Sequence, residues 1–326
     1  MSELPEPTGE HPRSPLRSVA VVGTGLIGTS VALALTAQGV TTYLLDQDPA
    51  VARTAEALGA GIAGRPDRPV DLAVLAVPPS RIVEALAQQQ AAGLAHSFTD
   101  VASVKLPPQR AAVAAGCDLG RYVGGHPMAG RERSGPLAAT ADLFHGRTWV
   151  LTPSVRTGPR TLHLATELIR LCGAELVTMS ADLHDRTVAL TSHTPHVLAS
   201  LMAGRLTRPE AGQLRLSGQG LRDVTRVALG DPQLWTDILR SNAGAVASEL
   251  REVADDLAVA VAALEWLDDP DPAQQRRGAA ELHTILASGV AGRSRLPELA
   301  GAAASGGQPP PSAPFRPARG PARARP

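Results

Sequence analysis

Four of the nine histidines in this chain stand where chemistry can be built. His126 lies in Val123-Gly124-Gly125-His126-Pro127-Met128-Ala129-Gly130, between a glycine pair and a proline and just after a short apolar run. That setting predicts a fixed backbone, open space around the ring and an imidazole titrating near neutrality, suited to taking a proton from a substrate hydroxyl. Read alone, the same residue is equally a turn histidine satisfied by backbone. His184, His193 and His196 stand farther on, the last two in Ser192-His193-Thr194-Pro195-His196. Helical spacing brings His193 and His196 to nearby faces. Neither a carboxylate nor a cysteine accompanies them at the i+3 or i+4 positions that zinc motifs use, so no metal is expected. Polar lining of a pocket is the reading for His193, and a structural role for His196. Arg222 and Arg226 follow the glycine-rich Ser217-Gly218-Gln219-Gly220. Arg226 could grip a carboxylate bidentately, the alternative being a solvated helix face paired with Asp223.

The elements that must position these groups begin at Ser18-Val19-Ala20-Val21-Val22, an apolar run of the kind that forms a strand buried on both faces. It leads into Gly23-Thr24-Gly25-Leu26-Ile27-Gly28, then a helix over Thr29 to Gln38 closed by Gly39, then a strand from Thr41 to Leu45 ending on Asp46. In that context the glycine spacing reads as a dinucleotide-binding turn. The first glycine permits the turn, the second lets a pyrophosphate approach the backbone, and the third lets helix and strand pack closely. The helix N-terminus then faces the phosphates. Asp46 would accept hydrogen bonds from ribose hydroxyls and repel a 2′-phosphate, and no arginine follows it directly, so NAD is expected rather than NADP. Ser103, after the strand-like run Phe98 to Val101, could offer a hydrogen bond to a substrate hydroxyl or to the nicotinamide amide, or be an ordinary cap.

Further strands at Asp71 to Val77, Thr148 to Leu151 and Glu175 to Met179 alternate with helices from Ser80 to about Gln90, over 107–115, and from Thr161 to Leu171. The alternation predicts an α/β fold, a Rossmann-type doubly wound parallel sheet over residues 18–180. His126 is then placed beyond a strand end, at the carboxyl edge where such sheets bind ligands. After Ser180 the β-like runs disappear, and residues 181–296 read as an all-α helical domain for substrate binding and dimerisation. Helical periodicity over Asp182 to Ala203 is interrupted by Pro195, and Asp231-Pro232 looks like an N-cap with proline at the first helical position. From Leu234 to Leu267 apolar residues recur at three and four, with Val246, Leu250, Leu257 and Leu264 on one stripe. A single helix of that length would run about 50 Å. Its stripe needs a partner, and a second copy of the chain, a homodimer, is the expected one. Residues 1–17 and 297–326 read as a disordered lead-in and tail.

A chain of 326 residues suits two domains, and 44% apolar residues suit sizeable cores. The 31 basic and 31 acidic side chains balance, which argues against nucleic acid or an anionic membrane as partner. Lys105 is the single lysine. Two cysteines make no disulfide framework, the N-terminal stretch has no apolar signal core, and no apolar run approaches a membrane span. A cytoplasmic protein is expected.

In order along the chain, Gly23 to Gly28, Ala102-Ser103-Val104-Lys105, Gly124 to Gly130, Ser192 to His196 and Asp223-Val224-Thr225-Arg226 resemble the prephenate dehydrogenase family of tyrosine biosynthesis, over about residues 18–295. The stretch Gly124 to Gly130, with Glu132 and Ser134-Gly135 after it, is far more specific than the glycine turn. The resemblance implies a Rossmann-type domain joined to a helical dimerisation domain. It also implies NAD as cofactor and oxidation of the ring alcohol of a dicarboxylate, prephenate, or of its amino analogue arogenate, with loss of carbon dioxide. His126 would take the proton of the ring hydroxyl, Ser103 would orient that hydroxyl and the nicotinamide, and Arg226 would bind a substrate carboxylate. His193, Glu132 and Trp235 would complete the substrate pocket. Arg131 and Gln219 depart from the family's common Thr and Gly, both toward the substrate's side-chain end. Two rival readings differ in what they require. A two-domain 3-hydroxy-acid dehydrogenase would place a catalytic lysine on a helix, and the helical half has none. A non-catalytic NAD sensor would need the dinucleotide turn but not His126.

Overall fold

A computed structural model describes residues 15–296 except 131, 132 and 209, with the backbone alone for 211. Most of the expected lead-in, the whole expected tail and Glu132 lie outside the described residues. Contacts group the chain into a compact unit through Leu282 and a second from His283.

The sheet contains β1 (Ser18–Val22), β2 (Thr41–Leu45), β3 (Ile62–Ala63), β4 (Val70–Leu75), β5 (Ala95–Asp100), β6 (Tyr122–Pro127), β7 (Thr148–Thr152) and β8 (Glu175–Thr178). Their order is β3-β2-β1-β4-β5-β6-β7-β8. Val19, Ala20 and Val21 in β1, like Leu72 to Leu75 in β4, have no exposed surface, because both faces of the sheet are covered. Alternation then sends Val19, Val21, Leu72 and Val74 into one core and Ala20, Ala73 and Leu75 into the other. On the first side lie α1 (Leu26–Ala37), α2 (Pro49–Ala57) and α5 (Pro159–Leu171); on the second lie α3 (Ile82–Ala91) and α4 (Leu106–Ala114). The turn back from β3 to β4 across β1 opens a crevice at the carboxyl ends of β1 and β4, where sheets of this class bind ligands.

Two features of β6 depart from the sequence reading. The strand expected to stop before His126 continues through it to Pro127. It pairs antiparallel with β7, His126 opposite Val150, while the other neighbouring pairs run parallel. The cause is the connection. Among the described residues, 128–147 hold only the short turn Pro136–Ala138 and no crossover helix, so the chain doubles back on itself.

The rest is helical: α6 (Ala181–Val188), α7 (Thr194–Arg205), α8 (Ala211–Leu214), α9 (Gln219–Thr225), α10 (Pro232–Ser241), α11 (Ala243–Asp268) and α12 (Pro272–Ser294). Pro195 does not break the chain between α6 and α7. A wide π turn, Ala189–His193, joins them and leaves Pro195 in the first turn of α7, where its missing N–H costs little. The single helix expected from Leu234 to Leu267 is two, α10 and α11, parted at Asn242, whose φ of −119° and ψ of 25° leave the helical region. Along α11, Val246 is buried while Leu257, Val261 and Leu264 are exposed within this chain. Among the described residues no helix is long and apolar enough to cross a membrane.

Candidate active site

The glycine turn is shaped by close approach. Gly23 has φ +98°, and a Cβ there would lie 2.3 Å from the Ala76 carbonyl at the end of β4. A Cβ on Gly28 would lie 1.9 Å from the Gly23 carbonyl, so only hydrogen lets α1 start against the turn. Gly25 differs, because nothing stands within 4 Å of the place its Cβ would take. Gly25 also caps α1 with no side-chain hydrogen bond, so no cap side chain takes up the first N–H groups of the helix, which have no partner within it. Asp46 reaches back to this turn. Its Oδ2 accepts from Thr24 N at 2.7 Å and Thr24 Oγ1 at 3.0 Å, and its Oδ1 accepts from Asp48 N at 3.1 Å. A carboxylate offers about four acceptor positions, so the turn takes most of them and leaves one for an incoming hydroxyl.

His126 stands on β6 above a buried charged layer. The glycine pair before it does not leave open space, as the sequence suggested; it lets β6 press on the end of β5. A Cβ on Gly125 would lie 2.5 Å from the Asp100 carbonyl, and one on Gly124 would lie 2.7 Å from Thr152 Oγ1. Into that contact comes Lys105, buried, with Nζ donating to Asp100 Oδ1 and to the Gly125 carbonyl. The Tyr122 hydroxyl donates to the other oxygen of Asp100. Burial lowers the ammonium pKa of Lys105 against the opposing pull of Asp100, and burial together with Asp100 holds the Tyr122 hydroxyl protonated.

The imidazole of His126 meets a second histidine. His126 Nδ1 lies 2.8 Å from His184 Nε2, and His184 Nδ1 lies 2.7 Å from Asp185 Oδ1. Asp185 in turn accepts from the backbone N–H groups of Lys105 (2.8 Å) and Leu106 (2.9 Å), capping α4, whose own N-cap residue supplies no side-chain bond. Burial first, then the neighbouring His184, Lys105 and His193, hold the His126 pKa well below the ordinary imidazole value, not near neutrality as its motif suggested. A neutral ring is the form that accepts a proton.

The other expected residues divide. His193 is buried and joins the cluster through Asn242, whose Nδ2 donates to the Asp185 carbonyl (2.8 Å) and lies 3.1 Å from His193 Nδ1. Burial lowers the His193 pKa to about 4. His196 stacks on Trp235 with ring centres 3.5 Å apart, and the His193 ring meets the same indole edge-on at 6.2 Å. Gly230 makes room for that stack, since a Cβ there would lie 2.4 Å from Trp235 Nε1. Ser103 sits, half-buried, on the segment between β5 and α4 that also carries Lys105. Arg226 is exposed, not buried, at the head of a short turn, Arg226–Leu229, that packs on α7.

Sequence reasoning passed over Asp185 and Asn242, gave His184 no role, and took Lys105 only as a count and as the end of the Ala102-Ser103-Val104-Lys105 motif. The adjacent His184-Asp185 pair at a helix start was the one visible signal. Its partner on β6 is 58 positions away, a separation no periodicity reports.

Residues 31–178 match the family model for the nucleotide-binding domain of prephenate dehydrogenase, and residues 180–278 match the model for its dimerization domain. A Streptomyces niveus protein named as a probable prephenate dehydrogenase, NovF, is 42% identical over 283 residues, which are 86% of this chain and 78% of that protein. Among solved structures, the prephenate dehydrogenase of Aquifex aeolicus in complex with hydroxyphenyl propionate and NAD+ is similar with a TM-score of 0.75 and 27% identity, over 87% of this chain and 99% of that one. The arogenate dehydrogenase of Synechocystis is similar with a TM-score of 0.69 and 25% identity, over 85% of this chain and 99% of that one. The matches run through both the sheet and the helices that hold His126, His184, His193 and Asn242. This chain belongs to the prephenate dehydrogenase family.

Proposed function

We propose that the protein oxidises prephenate with NAD+ to 4-hydroxyphenylpyruvate and carbon dioxide, a step of tyrosine biosynthesis. The observation that carries the reading is the neutral His126 imidazole, held by a polar cluster on the strand beyond the dinucleotide turn. Arogenate is the second reading, favoured by the likeness to the Synechocystis arogenate dehydrogenase.

The turn fits NAD. The open space over Gly25, the uncapped start of α1 at Leu26 and Ile27, and the close contacts of Gly23 and Gly28 suit a pyrophosphate, and Asp46 keeps one acceptor for the adenosine ribose. Bound NAD+ supplies the hydride acceptor. His126 takes the ring-hydroxyl proton as the ring carbon loses hydride, with Ser103 orienting the same hydroxyl. The carboxylate on the quaternary carbon then leaves as carbon dioxide, and its bonding pair aromatises the ring and ends on the ring oxygen. That oxygen recovers its proton from His126, so the base is restored within each turnover. Arg226 is proposed at a substrate carboxylate, with His193, Glu132 and Trp235 completing the pocket.

The proposed division places the dinucleotide domain over 18–180 and the helical domain over 181–296. We further propose a cytoplasmic homodimer with no nucleic-acid or membrane partner. The dimer is supported by the matched dimerization domain and by the exposed Leu257, Val261 and Leu264 of α11, and the free Cys117 and Cys172 suit a reducing compartment. Purified protein with NAD+ and either prephenate or arogenate, followed at the NADH absorbance, tests the reaction. Turnover of prephenate supports it, and failure with both compounds removes it.

A further inference from the structure

The Asp185–His184–His126 chain fixes where protons sit. Both oxygens of Asp185 face backbone N–H donors, Oδ1 that of Lys105 and Oδ2 that of Leu106, so the carboxylate acts as an acceptor only. The proton between Asp185 Oδ1 and His184 Nδ1 therefore belongs to the imidazole. With Nδ1 protonated, a neutral His184 presents a bare Nε2 to His126, and the 2.8 Å contact then needs its proton on His126 Nδ1.

We propose that His184 and Asp185 are positioning residues that set the tautomer of His126, leaving its Nε2 bare as the proton acceptor and giving the His126 Nδ1 proton somewhere to go. The inference rests on the reading of His126 as the base. As Nε2 takes the substrate proton, Nδ1 can pass its own to His184 Nε2. At His126 one N–H bond forms as the other breaks; His184 gains an N–H bond at Nε2, keeps the one at Nδ1, and carries the positive charge against Asp185. That direction is favoured by the surroundings. Lys105 and His193 face His126 and oppose charge on it, whereas Asp185, on His184's own helix, attracts it. The same logic operates in serine-hydrolase triads, where a carboxylate selects the imidazole tautomer and its replacement by an amide costs about 10⁴ in kcat.

The test joins nitrogen-15 NMR of the histidine rings to steady-state kinetics on the full chain. In the wild-type protein without substrate, His126 is expected to show a protonated Nδ1 and a bare Nε2, a result independent of what the substrate is. His184→Phe is expected to move that proton to Nε2 and lower kcat by about 10²–10⁴ while the NAD+ dissociation constant holds. His184→Gln, whose amide oxygen stands near the lost Nε2, is expected to keep the His126 tautomer and fall less. A wild-type His126 protonated at Nε2 overturns the proposal. So does a His184→Phe protein that keeps kcat within a few-fold, or one that loses kcat with the His126 tautomer unchanged, which would mean packing alone. If His184→Phe does not fold, Asp185→Asn carries the same test, its expected result being the loss of the Nδ1 proton from His184. Wild-type protein that turns over neither prephenate nor arogenate would refute the function and leave the tautomer result standing.

Discussion

The side-chain amide of Asn242 lies 3.1 Å from His193 Nδ1, at the residue where one long apolar stripe is cut into two helices. The same amide nitrogen donates to the Asp185 carbonyl, which fixes its orientation. His193 Nδ1 is therefore an acceptor, and the neutral ring carries its proton on Nε2. Asn242→Ala is expected to free that ring and leave the Asp185 carbonyl short of a partner. A lost buried hydrogen bond costs about 1–3 kcal/mol. We expect a KM for prephenate raised about tenfold, a smaller change in kcat and a lower thermal midpoint, read by initial rates and calorimetry. An unchanged KM would separate Asn242 from the pocket.

Lys105 is the buried partner of Asp100, and removing it strands a carboxylate beneath β6. Lys105→Met is expected to destabilise the fold by about 3–5 kcal/mol, the usual cost of breaking one side of a buried pair. Adding Asp100→Asn should recover part of the loss, because the stranded charge goes with it. Urea denaturation of the single and double variants measures both, and equal midpoints for the two variants would contradict the account.

The pH dependence has a definite sign. His193 titrates at about 4 in the folded chain against about 6.5 for a free imidazole. Between those values the unfolded chain binds a proton that the folded one refuses, so the His193 contribution makes stability rise with pH from about 4 to about 6.5 and level off above. His126, which burial also depresses, adds to the same slope. Thermal midpoints across that range should climb less steeply in His193→Asn. For catalysis, the acid limb of kcat/KM should fall below the ordinary imidazole range, since His126 stays neutral until its lowered pKa is reached.

Asp46 lines a depression of about 420 Å3 between β2 and α2 together with Arg53 and Arg65. Its carboxylate is the group that would repel a 2′-phosphate there. Asp46→Ser is expected to lower kcat/KM with NAD about ten- to a hundredfold, as a charged hydrogen bond of about 1.5–3 kcal/mol is lost. Activity with NADP should change far less or improve. Parallel titrations with the two cofactors give the ratio, and a ratio that does not move would remove Asp46 from cofactor choice.

Much of the scaffold was legible because it depends on local rules. Val19 to Val22 and Leu72 to Leu75 read as strands because burial on both faces demands continuous apolar residues, and Gly23, Gly25 and Gly28 read as a turn because each answers a backbone requirement. Asp231-Pro232 reads as a helix start because capping is local, and Asp231 does accept from Gln233 N. By the same rule Asp48-Pro49 announced α2, which the sequence reading passed over; Asp48 accepts from Ala50 N. What could not be read is tertiary. Nothing near His126 says that β7 returns antiparallel beside it. Nothing in the apolar stripe around Asn242 says that its amide is claimed by Asp185 and His193, and so the stripe looked like one helix. The exposure of Arg226 is likewise a matter of what packs around it, not of its spacing from Arg222.

The central claim is that a neutral His126 accepts the substrate proton in the oxidation of prephenate. It is tested most directly by His126→Asn beside wild type, with NADH formation from prephenate and the NAD+ dissociation constant measured on the same preparations. The account predicts steady NADH formation by wild type, a kcat lowered about 10²–10⁴-fold in the variant, and NAD+ affinity equal in the two. A variant that turns over within a few-fold of wild type would contradict it.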